Sequence, residues 1–318
     1  MRTITRRNFF SNAALASVAF TLPSALRATS APPAPQRTYK LAVATYSYWH
    51  FKPPIVPIET VLDKAGELAV EGVDILHRQL SSTDNAYLQT LKRRAFLNGL
   101  SLVCLSMHQN FLTYNSEAGC LDGERREREI KHTHECLEVA ARLGIPSMRI
   151  NAGRWATTRS FDKLMQDRGI ESIPPGPTED DGFKWVIEGI RRCIDRAAQL
   201  GVILALENHW GLSGTPEGML RIYGEINSPW LQLLPDTGNF LEDPYEKLAR
   251  VFPHACYVQA KTYFGGGEWY TLDLDYKRIM RQLREAGFQG FIGIEFEGKA
   301  PADEGVRKSI ELLRAAMA

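Results

Sequence analysis

Four oxygen-bearing side chains occupy the same kind of place in this sequence. Glu207 ends the apolar run Val202 to Leu206 in GVILALENHW. Asp236 follows Leu231 to Leu234 and Pro235 in LQLLPDTGNF. Gln259 follows Tyr257 and Val258 in CYVQAKTY, and Glu295 follows Phe291 to Ile294 in FIGIEFEG. Short apolar runs that stop on a polar residue read as buried parallel strands, and in a β/α barrel the chemistry sits where strands end. Three crowded carboxylates would repel one another and raise each other's pKa, and a shared divalent cation removes that cost. All four donors are oxygens and none is a thiolate, which suits Mn²⁺ or Mg²⁺, with Co²⁺ and Zn²⁺ as further choices. One metal ion held by Glu207, Asp236, Gln259 and Glu295 is the reading these residues suggest. The competing reading makes them rim residues paired to Arg or Lys.

Such convergence needs strands that all point one way. The hydrophobic pattern supplies eight strand-like runs: 40–46, 73–76, 100–107, 147–150, the run ending at Glu207, and those ending at Asp236, near Gln259–Lys261, and at Glu295. Helical stripes alternate with them. The first covers 58–70, with Gly72 as its stop. The second covers 84–98, with Thr83 as candidate N-cap and Gly99 as stop. Further helices are expected at 124–143, 179–200, from Pro216, at 244–251, at 275–286 and at 301–316. Residues 154–178 carry Pro174, Pro175, Gly176 and Pro177 and read as a long loop or lid. Strict alternation implies a parallel sheet, and eight units imply closure into a single-domain (β/α)8 TIM barrel of class α/β. A doubly wound open sheet is the alternative. It lacks its usual mark, because no GxGxxG follows the first strand.

Length and composition agree. The chain has 318 residues, 44% hydrophobic and 24% charged, ordinary values for a globular protein. Residues 1–30 stand apart. Arg6-Arg7 is followed by a weakly apolar stretch, Ala13 to Leu26, with no acidic residue. That is the layout of a twin-arginine signal peptide, which predicts export to the periplasm or beyond. The stretch is too short for a typical span of about 20 residues, so no stable membrane insertion is expected after cleavage. Residues 31–37, with Pro32, Pro33 and Pro35, form a stiff linker, and 38–318 make the barrel. Removing 1–30 leaves 34 basic residues against 37 acidic, a formal −3. No basic excess or stripe points to nucleic acid. Cys104, Cys120, Cys136, Cys193 and Cys256 are odd in number and contain no CxxC. They read as free thiols, as a protein folded before export would carry. The sequence allows a homo-oligomer and does not require one.

The motifs LALENH, PDTGN, VQAK and GIEFEG together resemble the xylose-isomerase-like sugar phosphate isomerase/epimerase superfamily of metal-dependent barrels. The resemblance runs over essentially the whole mature chain. It implies one divalent metal on Glu207, Asp236, Gln259 and Glu295. Many members carry His where this chain has Gln259, while the hydroxypyruvate-isomerase-like branch uses Gln. Asn239 stands at the fourth position of PDTGN, where many members read D-x-x-H. The endonuclease branch needs several histidines for a three-zinc cluster, and none falls on these two motif positions.

The chemistry then expected is Lewis-acid polarisation of a carbonyl beside a hydroxyl on a ketose or keto-sugar derivative. Glu207 and Glu295 would be the catalytic pair, one removing the carbon-bound proton and the other returning it. Return to the opposite face gives an epimer, and return to the adjacent carbon gives an isomer. His108, His209 and Lys261 are the candidate substrate-binding residues, with His77 weaker. Tyr46, Trp49, Trp155, Trp210 and Phe240 fall at strand ends, where they stack on sugars or pack the core. His132 and His134 read as solvent-exposed, being two apart on a helix. Two rivals remain. A lyase or hydratase acting on keto-glycosides would use the same enolate, and a non-catalytic exported sugar-binding barrel would not need two flanking carboxylates.

Overall fold

The structure is a computed structural model that describes residues 39–318. The signal peptide expected over 1–30, the linker over 31–37 and the first residue of the expected barrel lie outside the described residues. Eight parallel strands form the barrel wall: β1 (Lys40–Ala44), β2 (Gly72–Leu76), β3 (Ser101–Ser106), β4 (Ser147–Ile150), β5 (Ile203–Glu207), β6 (Leu231–Leu234), β7 (Tyr257–Thr262) and β8 (Phe291–Phe296). Each pairs with its sequence neighbour, and β1 pairs with β8 from Lys40 opposite Phe291 to Val43 opposite Ile294. Between β6 and β7 the ladder thins to two isolated parallel bridges, Leu233 with Ala255 and Asp236 with Gln259. The result is a nearly closed (β/α)8 barrel in one domain.

Nine helices surround the wall among the described residues: α1 (Ile58–Glu67), α2 (Asn85–Leu97), α3 (Gly123–Leu143), α4 (Phe161–Gln166), α5 (Glu179–Leu200), α6 (Pro216–Ile226), α7 (Pro244–Val251), α8 (Tyr276–Glu285) and α9 (Ala302–Met317). Local chemistry fixes their ends. Thr178 and Asp181 form a reciprocal capping box at the start of α5, and Gly201 at φ 69° stops it. Along α5 the buried residues Phe183, Val186, Ile187, Ile190, Cys193 and Ala197 recur at helical spacing. Thr215 caps α6, whose first residue is Pro216. Each fully buried Leu or Ile on these faces stabilises the fold by about 1.5–3 kcal/mol. Inside the barrel, Ala42, Val103, Cys104, Ala205, Leu234 and Tyr257 form a separate apolar layer.

Three expectations are corrected. α1 ends at Glu67, and the chain turns at Ala69 (φ 52°) rather than at Gly72. Gly72 opens β2 instead, where an added Cβ would lie 2.8 Å from Val103 Cγ1. The N-cap position of α2 is Asp84, not Thr83, and its side chain makes no capping hydrogen bond. The span 154–178 contains the helix α4, whose N-cap Ser160 accepts from the Lys163 amide. Its Asp162 and Lys163 were hidden among loop-forming residues. All five cysteines are free; Cys104, Cys136 and Cys193 are buried and Cys120 is exposed. Among the described residues no helix is long and apolar enough to cross a membrane.

Candidate active site

The C-terminal strand ends enclose a pocket of about 240 Å³. Its polar wall includes Asp74, Ser106, His108, Arg149, Glu207, His209, Asn239, Lys261, Glu295 and Glu297. Its mouth is aromatic, with Tyr46, Phe51, Phe161, Trp210, Trp269 and Tyr270.

Two cations organise the carboxylates. Lys261 ends inside the barrel because it is two residues beyond Gln259 on β7, so both side chains take the same face. Its Nζ lies 3.3 Å from Asp236 Oδ2, 3.2 Å from Glu295 Oε2 and 3.7 Å from Glu297 Oε2. It donates to Asn239 Oδ1 at 2.8 Å. Arg149 rises from β4, with Nε 3.6 Å from Glu207 Oε2 and Nη1 3.7 Å from Glu295 Oε1. Glu295 is thus shared by both cations. Burial alone would push its carboxyl up, but Lys261 and Arg149 outweigh that and hold it below the usual range. Burial pushes Asp236 well up despite Lys261.

Glu207 is held differently. Asn151 Nδ2 donates to its Oε2 at 2.8 Å and Asn239 Nδ2 to its Oε1 at 3.2 Å. Gln259 Nε2 reaches Asp74 Oδ2 and Glu295 Oε1, each at 3.4 Å. Asp236 Oδ1 accepts the Gly238 amide at 2.7 Å. The structure therefore brings Asp236, Gln259, Lys261 and Glu295 together and places Glu207 across Arg149 from Glu295. The pairing to Arg and Lys that competed with a metal in the sequence is present.

The donor chemistry still fits a hard divalent cation. Gln259 Oε1 and Asp74 Oδ1 are buried and accept no hydrogen bond, a costly state for a polar atom unless a partner arrives, and Asp236 Oδ2 has only the Lys261 ammonium, 3.3 Å away. Asp74, Glu207, Asp236, Glu295 and Glu297 are all buried, against Arg149 and Lys261. Five acids share two positive side chains, and burial raises the carboxyls of Asp74, Asp236 and Glu297, as expected where positive charge is short.

His108 and His209 both line the pocket, with ring centroids 6.2 Å apart. Burial and the nearby Arg149 push His108 well down; burial also lowers His209, opposed by Glu207. Both rings are neutral near pH 7, each with one donor and one acceptor. His77 is not among the lining residues and stacks edge-on to His132 at 5.3 Å. Trp155 and Phe240 are core residues, whereas Tyr46 and Trp210 line the pocket.

A model of the xylose isomerase-like TIM barrel family matches residues 62–316. The chain belongs to that family. Solved structures of the same fold include D-psicose 3-epimerase from Clostridium cellulolyticum with D-tagatose, at 13% identity and TM-score 0.66, covering 87% of this chain and 99% of that one. The 3-keto-D-glucoside 4-epimerase YcjR from E. coli gives 19% identity and TM-score 0.66 over 87% and 99% of the two chains. The probable 3-DHS dehydratase AsbF from Bacillus anthracis gives 17% and 0.64 over 86% and 98%. At these identities the likeness is one of fold. Compared with curated proteins, the chain matches none.

Sequence reasoning passed over several residues of this family member's pocket. Asp74 and Arg149 lie inside strand runs, GVDIL and SMRI, whose pattern by itself marks only strand. A charged residue in the middle of a buried strand was the available signal. Glu297 follows Glu295 by two, the same spacing that marked Lys261. Phe161, Trp269 and Tyr270 come from excursions with no periodic pattern.

Proposed function

We propose that this family member is a divalent-metal-dependent isomerase or epimerase of a ketose or keto-sugar derivative. The observation that carries the proposal is the pair of buried, unbonded oxygens of Asp74 and Gln259 beside Asp236 and Glu295, next to a pocket lined by Asp74, Glu207 and Glu295. Asp236, Gln259, Glu295 and Glu207 would hold Mn²⁺ or Mg²⁺. The ion would supply polarisation of the substrate carbonyl and its neighbouring hydroxyl.

The protein's own residues do the rest. Glu295, kept ionised by Lys261 and Arg149, takes the proton from the carbon next to the carbonyl. The electron pair moves onto the carbonyl oxygen, leaving an enediolate. Glu207, steadied by Asn151 and Asn239, delivers to carbon a proton taken up from solvent, and Glu295 releases to solvent the one it took. Neutral His108 and His209 offer a donor and an acceptor to substrate hydroxyls. The exposed aromatic pair Phe161 and Trp269, 4.6 Å apart at the mouth, favours a substrate with an apolar face or aglycone. A keto-glycoside fits, and loss of its aglycone from the same enolate is the lyase reading. Export by a signal in residues 1–30, as Arg6-Arg7 and the stretch after it lead us to expect, would favour a free sugar or glycoside over a sugar phosphate. Retention of an Arg6→Lys, Arg7→Lys double variant in the cytoplasm would support export.

The test is proton exchange in D₂O with a panel of ketoses and 3-keto-glycosides, with and without Mn²⁺. Metal-dependent deuterium incorporation supports the proposal, and release of aglycone turns it toward a lyase. Saturable binding without exchange under every condition overturns it in favour of a sugar-binding barrel.

A further inference from the structure

A second group of metal-type ligands lies outside the pocket. His77 follows β2 in the short turn His77–Gln79, and His132 and Cys136 lie on α3. The expectation that His132 is solvent-exposed is corrected: its ring is half-buried against His77 and Cys136. His132 and Cys136 are four residues apart, so they share one helix face. One ligand atom from each of the three residues lies within 4.8 Å of the others.

We propose that His77, His132 and Cys136 form a Zn²⁺ site distinct from the pocket. Tetrahedral zinc, with Zn–N near 2.0–2.1 Å and Zn–S near 2.3 Å, places its donors roughly 3.3–3.7 Å apart. Cys136 Sγ and His132 Nε2 are 3.7 Å apart, close to that spacing. Two imidazoles and a thiolate form a borderline-soft set that selects zinc over Mg²⁺ or Ca²⁺. The fourth position is left to water. Cys136 is fully buried while both rings are half-buried, so the ion enters past the imidazoles. On binding, the S–H bond breaks, the sulfur bonds to zinc and one proton leaves to solvent. The set differs from the pocket donors, which are oxygens, so the two sites would sort different metals. The ion would tie α3 to the turn after β2. That turn follows Leu76, the last residue of β2, which lines the pocket, and carries Arg78, whose guanidinium lies 5.2 Å from the Phe51 ring at the mouth. The inference does not rest on the proposed reaction.

The test is Co²⁺ titration of the tag-free, chelator-stripped full chain, read by the thiolate-to-cobalt charge-transfer absorption in the near ultraviolet. In the Asp236→Asn background, which removes a ligand of the pocket site, one equivalent of Co²⁺ is expected to saturate the band, and Zn²⁺ to displace it. Asp236→Asn and Cys120→Ser should keep the band, Cys136→Ser should lose it, and His132→Gln should bind at least tenfold more weakly. Because Cys136 is buried, its variant has to be shown folded by circular dichroism. If it is not, the half-buried His132→Gln decides. Absence of the band in the parent chain, its survival in folded Cys136→Ser, or parent-like binding by folded His132→Gln would each overturn the site.

Discussion

The two ends of the barrel interior solve opposite problems. Toward the C-terminal strand ends, Asp74, Glu207, Asp236, Glu295 and Glu297 are buried around Arg149 and Lys261. Below them, Ala42, Val103, Cys104, Ala205, Leu234 and Tyr257 pack as an apolar plug. The plug is the cheaper way to fill a barrel. Burying ions costs several kcal/mol each before their attraction is counted, and well-packed apolar residues are often as stable or more so. The acid-rich end is therefore difficult to explain by folding alone, and under the proposed function the difference marks where this protein would accept instability for chemistry.

The comparison is broken most sharply by Glu295→Gln. It keeps the shape and removes the charge that Lys261 and Arg149 share. Deuterium exchange into substrate should fall by roughly 10²–10⁴-fold, as expected for a lost acid/base group, while the circular dichroism spectrum is retained. Exchange at the parent rate would assign Glu295 to packing and erase the functional contrast between the two ends.

Asp74 tests the cost of the acidic end directly. Burial lifts its carboxyl from 3.8 to about 7, opposed by Arg149 and by the Ser106 hydroxyl that donates to Oδ2 at 2.9 Å. The folded state then holds a proton that the unfolded chain has already released. Stability from this group is present below about pH 4 and is lost as pH rises toward about 7. Asp74→Asn should match the parent near pH 4 and exceed it at pH 8, by an order-of-magnitude figure of about 4 kcal/mol for the metal-free chain. The buried histidines His108 and His209 push the other way below their usual range, but they are common to both proteins and cancel in the difference. Equal urea midpoints at pH 4 and pH 8 would mean that Asp74 carries no such cost.

How much of this was legible beforehand follows from the same contrast. The barrel was readable because its wall is made of mostly apolar runs and some of its helices stop at Gly, as α3 does at Gly144 and α5 at Gly201. The donors of β5 to β8 were readable because each carboxylate or amide breaks such a run abruptly, although only Glu207 is a strand's last residue: Asp236 lies two residues past β6, Gln259 is third of six in β7 and Glu295 is the last but one of β8. Asp74 and Arg149 were not, because they sit inside their runs and a lone strand cannot show what faces it. Between Val73 and Asp74 the register against β3 also shifts, so Asp74 pairs with Cys104. That irregularity belongs to the sheet rather than to either strand's pattern. The cluster of His77, His132 and Cys136 was invisible for a related reason. It joins a strand end to a helix 55 positions on, and only packing brings them together.

At the plug the expected effect is on stability and not on rate. A Cβ on Gly293 would come within 1.7 Å of the Tyr257 hydroxyl. Gly293→Ala should destabilise the fold by about 1–3 kcal/mol through overpacking. Tyr257 Oη is buried without a partner, so Tyr257→Phe should be neutral or stabilising and should relieve part of the Gly293→Ala penalty in the double variant. Urea unfolding of the four proteins measures the coupling, and strict additivity would show that the two residues do not meet.

The smallest effect is expected at the pocket mouth. Trp269 is 45% exposed and packs on Phe161, which also touches Trp210 at 5.4 Å. A large indole left in water gains little for folding, so Trp269→Ala should leave the urea midpoint nearly unchanged. If the indole stacks on substrate, its removal should raise KM roughly two- to tenfold, the scale of one aromatic contact, with kcat preserved. The effect should be larger for a glycoside with an aromatic aglycone than for the free ketose. Equal KM shifts for both would place the aglycone elsewhere, and a fall in stability would turn the aromatic mouth into another piece of packing, like the plug at the far end.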